Sequence, residues 1–205
     1  MRRLLLAAAL AAAACASPSQ APATPSAFPD NAALIALLKA RVDDGRATGI
    51  VLGVMDADGS SRIVAYGDPG PGAPPLDASS VFEIGSITKV FTSTLLADMA
   101  AKGEVKLDVP AQTYAPAGMV LPTRGDKAIT LLNLSEQNSG LPRMPGNFAP
   151  ADISNPFADY TPEQLKAFLA SYQLPRDIGA TFEYSNLGVG LLGVLLANRA
   201  GDSYE

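Results

Sequence analysis

The chain has 205 residues, of which 48% are hydrophobic and 17% are charged, and its formal net charge is −5 at pH 7. It contains no histidine, no tryptophan and a single cysteine. These counts exclude a Ser-His-Asp triad, a histidine-bound zinc and an internal disulfide. We therefore expect no metal and no cofactor, and acid–base chemistry has to use Lys, Tyr, Asp or Glu. The negative net charge also argues against a nucleic-acid partner, since phosphate binders carry a basic surface.

The N-terminus predicts export from the cytoplasm. Arg2 and Arg3 precede an apolar run over residues 4–14, which is shorter than the about 20 residues that a membrane span needs. Small residues follow around Cys15. This order is typical of a signal peptide, here residues 1–16, and it predicts a periplasmic or cell-envelope location.

Two kinds of processing fit this segment. Residues 12–15 resemble a bacterial lipobox, in which Cys15 is lipidated and becomes the first mature residue, whereas Ala14-Cys15-Ala16 fits ordinary signal peptidase. A lipid on Cys15 would be the protein's contact with a membrane. Residues 17–29 are rich in Ser, Pro and Ala and have little to bury, so they predict an extended linker. The remainder, residues 30–205, shows no repeat and no second linker and is expected to form one domain.

A helix followed by an antiparallel hairpin opens this domain. Asp30 can cap a helix over residues 31–46. A buried strand over residues 49–55 and a returning strand over residues 61–66 flank a turn at residues 57–60. This order predicts an α/β (α+β) fold in which an antiparallel sheet packs with helices.

The rest of the chain is predicted to be mainly helical. The strongly apolar residues 86–102 predict a helix that is largely buried. Residues 107–128 are irregular, and residues 143–160 form a long loop, which makes them a functional candidate. Further helices are predicted over residues 130–135, from Thr161 to about Tyr172, and from about Leu187 to Arg199.

The first chemical pattern is Ser86-Ile87-Thr88-Lys89, at the start of the buried helix. The spacing of three residues puts the Ser86 hydroxyl and the Lys89 amine on the same helical face. A serine hydroxyl is too weakly acidic to attack unaided, and an adjacent neutral lysine can take its proton. Taken alone, the pattern is also met by a serine N-cap followed by a surface lysine.

The second chemical pattern is Tyr184-Ser185-Asn186. A phenol beside a protonated lysine has a lowered pKa and can relay a proton to a leaving group. The Asn186 amide can both donate and accept, which suits the binding of a substrate amide. The alternative is a core tyrosine followed by Asn186 as a helix N-cap, and Asn186 could serve as both cap and ligand.

Together these patterns resemble a known family. Residues 82–91 are similar to the first box of the serine β-lactamase/penicillin-binding protein superfamily, class C type, and residues 182–193 are similar to its second box. Lesser landmarks match at residues 107–108, 129–132 and 139–142. The segments 149–160 and 174–179 look most like the D-alanyl-D-alanine carboxypeptidase/endopeptidase branch. The resemblance covers residues 30–205.

The resemblance implies a β-lactamase/transpeptidase-like fold, present here in part, with an all-α subdomain that carries the Ser-x-x-Lys helix. It implies that Ser86 is the acylated nucleophile and that its backbone N–H forms half of an oxyanion hole. Lys89 and Tyr184 would share the general-base and general-acid work, and Asn186 would hold the acyl amide. The substrates would be β-lactams, D-Ala-D-Ala peptides of peptidoglycan, or small esters.

Two departures from the family pattern stand out. Members usually carry His-Thr before Ser-Gly-Leu-Pro, where this chain has Gln137-Asn138. The third box, Lys or His followed by Thr/Ser-Gly, does not occur before Glu205. We therefore expect this chain to correspond to the N-terminal part of such an enzyme, with little or no activity alone. The alternatives are a non-catalytic relative that binds cell-wall peptide and a plain lipoprotein tethering domain.

Overall fold

The computed structural model describes residues 26–204. The predicted signal peptide, Cys15 and most of the predicted linker therefore lie outside the described residues. The chain divides into two compact units, the first ending at Phe82 and the second beginning at Glu83. Within residues 26–204, no helix has both the length and the apolar character that a membrane crossing requires.

The first unit begins with helix α1, Asn31–Asp43. The Asp30 carboxylate accepts a hydrogen bond from the Ala33 N–H at 2.8 Å, which satisfies a donor that the first turn leaves free. The predicted start is confirmed. The helix ends before the predicted residue 46, because Gly45 has a φ of 71° and turns the chain through the left-handed region.

An antiparallel hairpin follows, with strands β1 (Gly49–Met55) and β2 (Ser61–Gly67). The hairpin is as predicted, but β1 is not the buried strand that we expected. Met55, for example, is 68% exposed. Side chains alternate across a strand, and α1 covers one face of the hairpin, so side chains of the other face such as those of Met55 and Ile63 are exposed. The buried cluster of this unit consists of Leu34, Leu38, Val54 and Val64.

The second unit begins at the Ser-x-x-Lys segment. A 3₁₀ turn over Gly85–Ile87 leads directly into helix α2, Thr88–Ala101. Ser86 therefore lies in the 3₁₀ turn, and Lys89 lies in the first turn of the α-helix. The start of the predicted helix is thus tighter than a continuous α-helix.

The remaining elements of this unit are short apart from the last helix. A second 3₁₀ turn covers Ala111–Tyr114 within the segment that was predicted to be irregular. In chain order, the other elements are β3 (Thr123–Arg124), β4 (Lys127–Ala128), α3 (Leu131–Ser135), α4 (Pro162–Ser171) and α5 (Asn186–Ala200). β3 and β4 pair antiparallel. The three predicted helices are therefore present close to their predicted positions.

Helix α5 lies at the centre of the core of the second unit. Its inner side chains are almost completely buried: Leu191, Leu192, Leu195 and Leu196 are each at most 1% exposed. They belong to one cluster with residues from the other helices, namely Leu96, Met99, Leu131, Leu134 and Leu169. This core fixes the start of α5 relative to α2 and α3.

Helix α2 is not largely buried, so that prediction is wrong. Leu96 and Met99 are buried, whereas other apolar side chains of α2 and of the 3₁₀ turn before it are between 48% and 65% exposed: Ile87, Val90, Phe91 and Leu95. Apolar residues around the whole circumference indicate burial on every side. Among the described residues, α2 instead packs along one face, against α5 and beside α3, where Ser93 and Ser135 share a hydrogen bond of 3.0 Å.

Candidate active site

Four predicted site residues form one cluster around the hydroxyl of Ser86. The Lys89 Nζ donates to Ser86 Oγ at 3.2 Å and to Asn186 Oδ1 at 2.8 Å. The Tyr184 hydroxyl donates to the same Ser86 Oγ at 2.6 Å. The structure thus brings together all the residues to which the sequence assigned catalytic or substrate-binding roles, while the roles themselves stay predictions.

The junction of the 3₁₀ turn and α2 places Ser86 and Lys89. Gly85 precedes Ser86 with a φ of 52°, which a glycine adopts without steric cost. Lys89 lies seven residues, or two helical turns, before the buried Leu96. It therefore shares the face of α2 that packs in the core, and this directs its amine toward the start of α5.

Ser185 fixes the start of α5 and so places its two neighbours. It is 1% exposed, its Oγ accepts from the Gly188 N–H at 2.8 Å, and its hydroxyl donates to the Pro142 carbonyl at 2.6 Å. Ser185 is the N-cap, so the alternative in which Asn186 caps the helix is wrong. The side-chain amide of Asn186 is consequently available to Lys89.

The other end of the Asn186 amide has a weak partner. Its Nδ2 points at the Met144 sulfur at 3.7 Å. A thioether sulfur is a weak hydrogen-bond acceptor. The N–H side of Asn186 can therefore exchange this contact for a stronger one to a substrate carbonyl.

Two cations lie against the ring of Tyr184. The Lys89 Nζ is 4.7 Å from the ring centroid, and the guanidinium carbon of Arg143 is 5.1 Å from it. Hydrogen bonding to Lys89 and to Ser86 lowers the pKa of Tyr184 and outweighs the opposing effect of burial, and the charges of Lys89 and Arg143 add smaller contributions in the lowering direction. A phenol in this setting loses its proton at a lower pH than an ordinary tyrosine.

The sequence did not single out Arg143. It directly follows the landmark at residues 139–142, and it is the first residue of the loop that was considered a functional candidate. Its carbonyl also accepts from the N–H groups of Asn186 and Leu187, at 3.0 and 3.3 Å. A single charged residue in a loop forms no periodic pattern. In the sequence, only the position of Arg143 next to the landmark at residues 139–142 indicates that it contributes both a charge near Tyr184 and a carbonyl to the start of α5.

The cluster combines a nucleophile, two groups that can exchange protons with it, and an amide. Ser86 can form a bond to an electrophilic carbon while Lys89 or Tyr184 takes its proton. Within residues 26–204, no three side chains of His, Cys, Asp or Glu come together as a set of metal ligands. The arrangement suits acyl transfer through a covalent serine intermediate.

Sequence comparison gives matches over most of the chain. The sequence model of the beta-lactamase family matches residues 34–205. Among curated proteins, the D-alanyl-D-alanine-carboxypeptidase/endopeptidase AmpH of Escherichia coli (strain K12) is 40% identical over 163 residues. This alignment covers 77% of the present chain and 40% of AmpH, so the chain spans about two fifths of the length of that relative.

Comparison with solved structures gives consistent matches. A β-lactamase/D-alanine carboxypeptidase from Yersinia pestis, complexed with citrate, superimposes with a TM-score of 0.67 at 29% identity and covers 85% of this chain and 51% of its own. A class C β-lactamase in complex with cefoxitin superimposes with a TM-score of 0.64 at 27% identity, covering 84% of this chain and 45% of its own.

Proposed function

Since the chain belongs to the beta-lactamase family, we propose that its function is that of a serine acyl hydrolase, which acts on β-lactams or on D-Ala-D-Ala peptides through an acyl-enzyme. One observation carries this proposal: the Ser86 Oγ accepts hydrogen bonds from both Lys89 and Tyr184. A serine that serves only as a helix cap or a surface hydroxyl has no need of two such partners.

Acylation begins with the loss of the Ser86 proton. As the Ser86 oxygen bonds to the substrate carbonyl carbon, its proton passes to the Tyr184 phenolate or to a neutral Lys89, both of which are within hydrogen-bonding distance. The lowered pKa of Tyr184 supports its use as this base. The same proton is then delivered to the leaving nitrogen, so the amine departs neutral and the base is restored.

The substrate amide is held by Asn186. Its Oδ1 accepts from Lys89 and fixes the orientation of the amide, which leaves Nδ2 to donate to the carbonyl of the acyl group. The backbone N–H of Ser86 is proposed as one donor to the oxyanion of the tetrahedral intermediate. These contacts would set the carbonyl carbon in front of the Ser86 oxygen.

Water completes the cycle. A water molecule attacks the ester carbonyl of the acyl-enzyme and gives its proton to Tyr184 or Lys89. The Ser86 oxygen then leaves the carbonyl carbon and recovers that proton, which releases the acid product. Lys89 and Tyr184 therefore act as base and as acid in turn.

The names of the relatives support two substrate classes. AmpH is a D-alanyl-D-alanine-carboxypeptidase/endopeptidase, and one similar solved structure is a class C β-lactamase with cefoxitin bound. At 40% identity to AmpH, we favour the peptidase branch, with peptidoglycan stem peptides as substrates and β-lactams as reactive analogues of them. Small esters are the remaining class that the same chemistry would accept.

We also propose that the protein works in the periplasm or the cell envelope. The support is the N-terminal order of charge, apolar run and small residues. Growth with labelled palmitate tests the two kinds of processing. Label that enters the wild type and is lost in Cys15→Ala indicates lipidation, whereas absence of label in an exported protein indicates ordinary signal-peptide cleavage.

Labelling of the full-length protein with a fluorescent penicillin tests the hydrolase proposal. We expect a stable fluorescent band from the wild type and none from Ser86→Ala. Ser171→Ala is the control, because it removes a hydroxyl that bonds only to carbonyls of α4. Full labelling of Ser86→Ala would contradict the assignment. A folded wild type that binds stem peptide but takes up no label would favour the non-catalytic relative.

A further inference from the structure

Gln137 holds the chain on both sides of Tyr184. Its main-chain carbonyl accepts from the Glu183 N–H at 2.7 Å. Its side-chain Oε1 accepts from the Ser185 N–H at 2.5 Å. The two bonded residues are the immediate neighbours of Tyr184, so a single glutamine fixes the backbone before and after the phenol.

The backbone of Gln137 has a conformation that favours glycine. Its φ is 62°, and it is the only residue other than glycine with a positive φ in residues 26–204. It follows α3 at the position where the chain turns back, with bonds from Gln137 N–H to Leu134 O and from Asn138 N–H to Asn133 O, at 3.4 and 3.1 Å. Glycine is usual at this position of such a helix end.

A comparison with glycine shows what the side chain adds. Glycine at position 137 would adopt this φ more easily and would keep the main-chain bond to Glu183. It would lose the bond from Oε1 to the Ser185 N–H. Strain that persists at one residue indicates a role that outweighs its cost, and here the bond to Ser185 is the contact that only a side chain supplies.

The bond from Gln137 to Ser185 acts on Tyr184 over a short, rigid stretch of backbone. Ser185 is buried and is also held by its bonds to Pro142 and Gly188. Tyr184 therefore has little freedom, and its hydroxyl lies 2.6 Å from Ser86 Oγ. Proton transfer needs this distance, and a displacement of about 1 Å can lower a rate by about a hundredfold.

We propose that Gln137 is a positioning residue that acts through Glu183 and Ser185 to hold the Tyr184 hydroxyl against Ser86. The inference rests on the proposed function, in which Tyr184 exchanges a proton with Ser86. Among the hydrogen bonds of residues 26–204, those of Gln137 go to Glu183, Ser185 and Leu134, and none goes to Ser86 or Asn186.

Acylation kinetics of the full-length protein with a chromogenic β-lactam test the role of the acceptor oxygen. Gln137→Leu removes it, and we expect kcat to fall by about ten- to a hundredfold with KM changed less than about threefold. Gln137→Glu retains an acceptor and should stay within about fivefold of wild type. Asn138→Ala is the control, since that side chain bonds to Asn133 and Glu136 instead. Equal losses in all three variants would overturn the proposal.

Gln137→Gly separates positioning from folding. Because glycine suits the positive φ, we expect the variant to unfold at a temperature close to that of the wild type and yet to lose as much acylation rate as Gln137→Leu. A folded Gln137→Gly protein with the wild-type acylation rate would refute the role of the side chain.

Titration of Tyr184 gives a readout that does not depend on activity. Lys89 from α2 and Arg143 from the loop face this phenol, so its ionisation reports its position. With ¹³C-labelled tyrosine and NMR, we expect the pKa of Tyr184 to rise toward the ordinary value in Gln137→Leu and Gln137→Gly. An unchanged titration in both variants would overturn the proposal. If the wild type were never acylated, the proposed function would be wrong. The titration of Tyr184 would then still test the role of Gln137.

Discussion

The Tyr184 hydroxyl and the Ser86 Oγ are 2.6 Å apart in space and 98 positions apart in the sequence. Each lies at the beginning of a helix, Ser86 in the 3₁₀ turn before α2 and Tyr184 directly before the N-cap of α5. The two helices pack in one core through Leu96 and Leu192. The geometry of the site is therefore a consequence of helix packing, supported locally by Gln137 and Ser185.

Lys89 offers the sharpest test of the acid–base assignment. Lys89→Arg keeps the positive charge, but a guanidinium cannot give up its proton in a protein. We expect both Lys89→Arg and Lys89→Met to lower the acylation rate by at least about a hundredfold, which is the usual contribution of a general base. The measurement is stopped-flow acylation by a chromogenic β-lactam.

The matched control for Lys89 is Lys102→Arg. Lys102 lies at the other end of α2 and pairs with Asp98 at 2.6 Å on the surface. It should retain wild-type acylation. A Lys89→Arg protein as fast as the wild type would show that Lys89 supplies charge alone and not a proton acceptor.

Arg143 should influence the pH dependence of acylation. Its positive charge contributes to the lowered pKa of Tyr184, so Arg143→Ala should raise that pKa and leave less phenolate at neutral pH. We expect the rate at pH 7 to fall, by less than about fivefold because the charge is exposed, and to recover as the pH rises. The measurement is the acylation rate between pH 6 and about pH 10, a range that spans the ordinary tyrosine pKa.

Arg124→Ala is the corresponding control for charge. Arg124 bonds to the Leu174 carbonyl and to Asp177 rather than to the tyrosine. Its removal changes the net charge equally and should leave the pH profile in place. Identical shifts in the two arginine variants would mean that the effect is one of overall charge.

Much of this site could be predicted from the sequence, because its main signals are local. The three-residue spacing of Ser86 and Lys89 places both side chains on one face at the start of a helix. The Tyr184-Ser185-Asn186 pattern predicted the other two residues of the cluster, Tyr184 and Asn186. The predicted family and the β-lactamase/transpeptidase-like fold are confirmed by the family match and by the superpositions.

The parts that the sequence did not predict depend on contacts between distant segments. An apolar helix such as α2 looks buried on every side, although which face is covered depends on what packs against it. Ser185 and Asn186 are both good N-caps. In the structure Ser185 is the cap, because its hydroxyl accepts from the Gly188 N–H while it donates to the distant Pro142 carbonyl. Gln137 differed visibly from the family pattern, yet its bond to the Ser185 N–H crosses 48 positions and has no sequence signature.

Thr161 allows a stability test that is separate from catalysis. Its hydroxyl accepts from the Gln164 N–H at 3.2 Å, and the Gln164 side chain accepts from the Thr161 N–H at 2.7 Å, which forms a capping box at α4. Thr161→Ala should lower the free energy of unfolding by about 1 kcal/mol. Denaturant unfolding measures the change.

Thr161→Ser retains the capping oxygen and should remain close to the wild type in stability. Neither change at Thr161 should alter the acylation rate of the folded protein. If alanine and serine were equally stable at this position, the capping box would contribute nothing to α4.

Ser86 is the residue that we propose becomes acylated. The most direct measurement is mass spectrometry of the full-length protein after reaction with a penicillin, followed by proteolysis and mapping of the adduct. We predict one added acyl group per chain, carried on the Ser86 hydroxyl and absent from Ser86→Ala. An adduct mapped to another residue, or a folded protein whose Ser86 stays unmodified after prolonged reaction with the penicillin, would contradict this assignment.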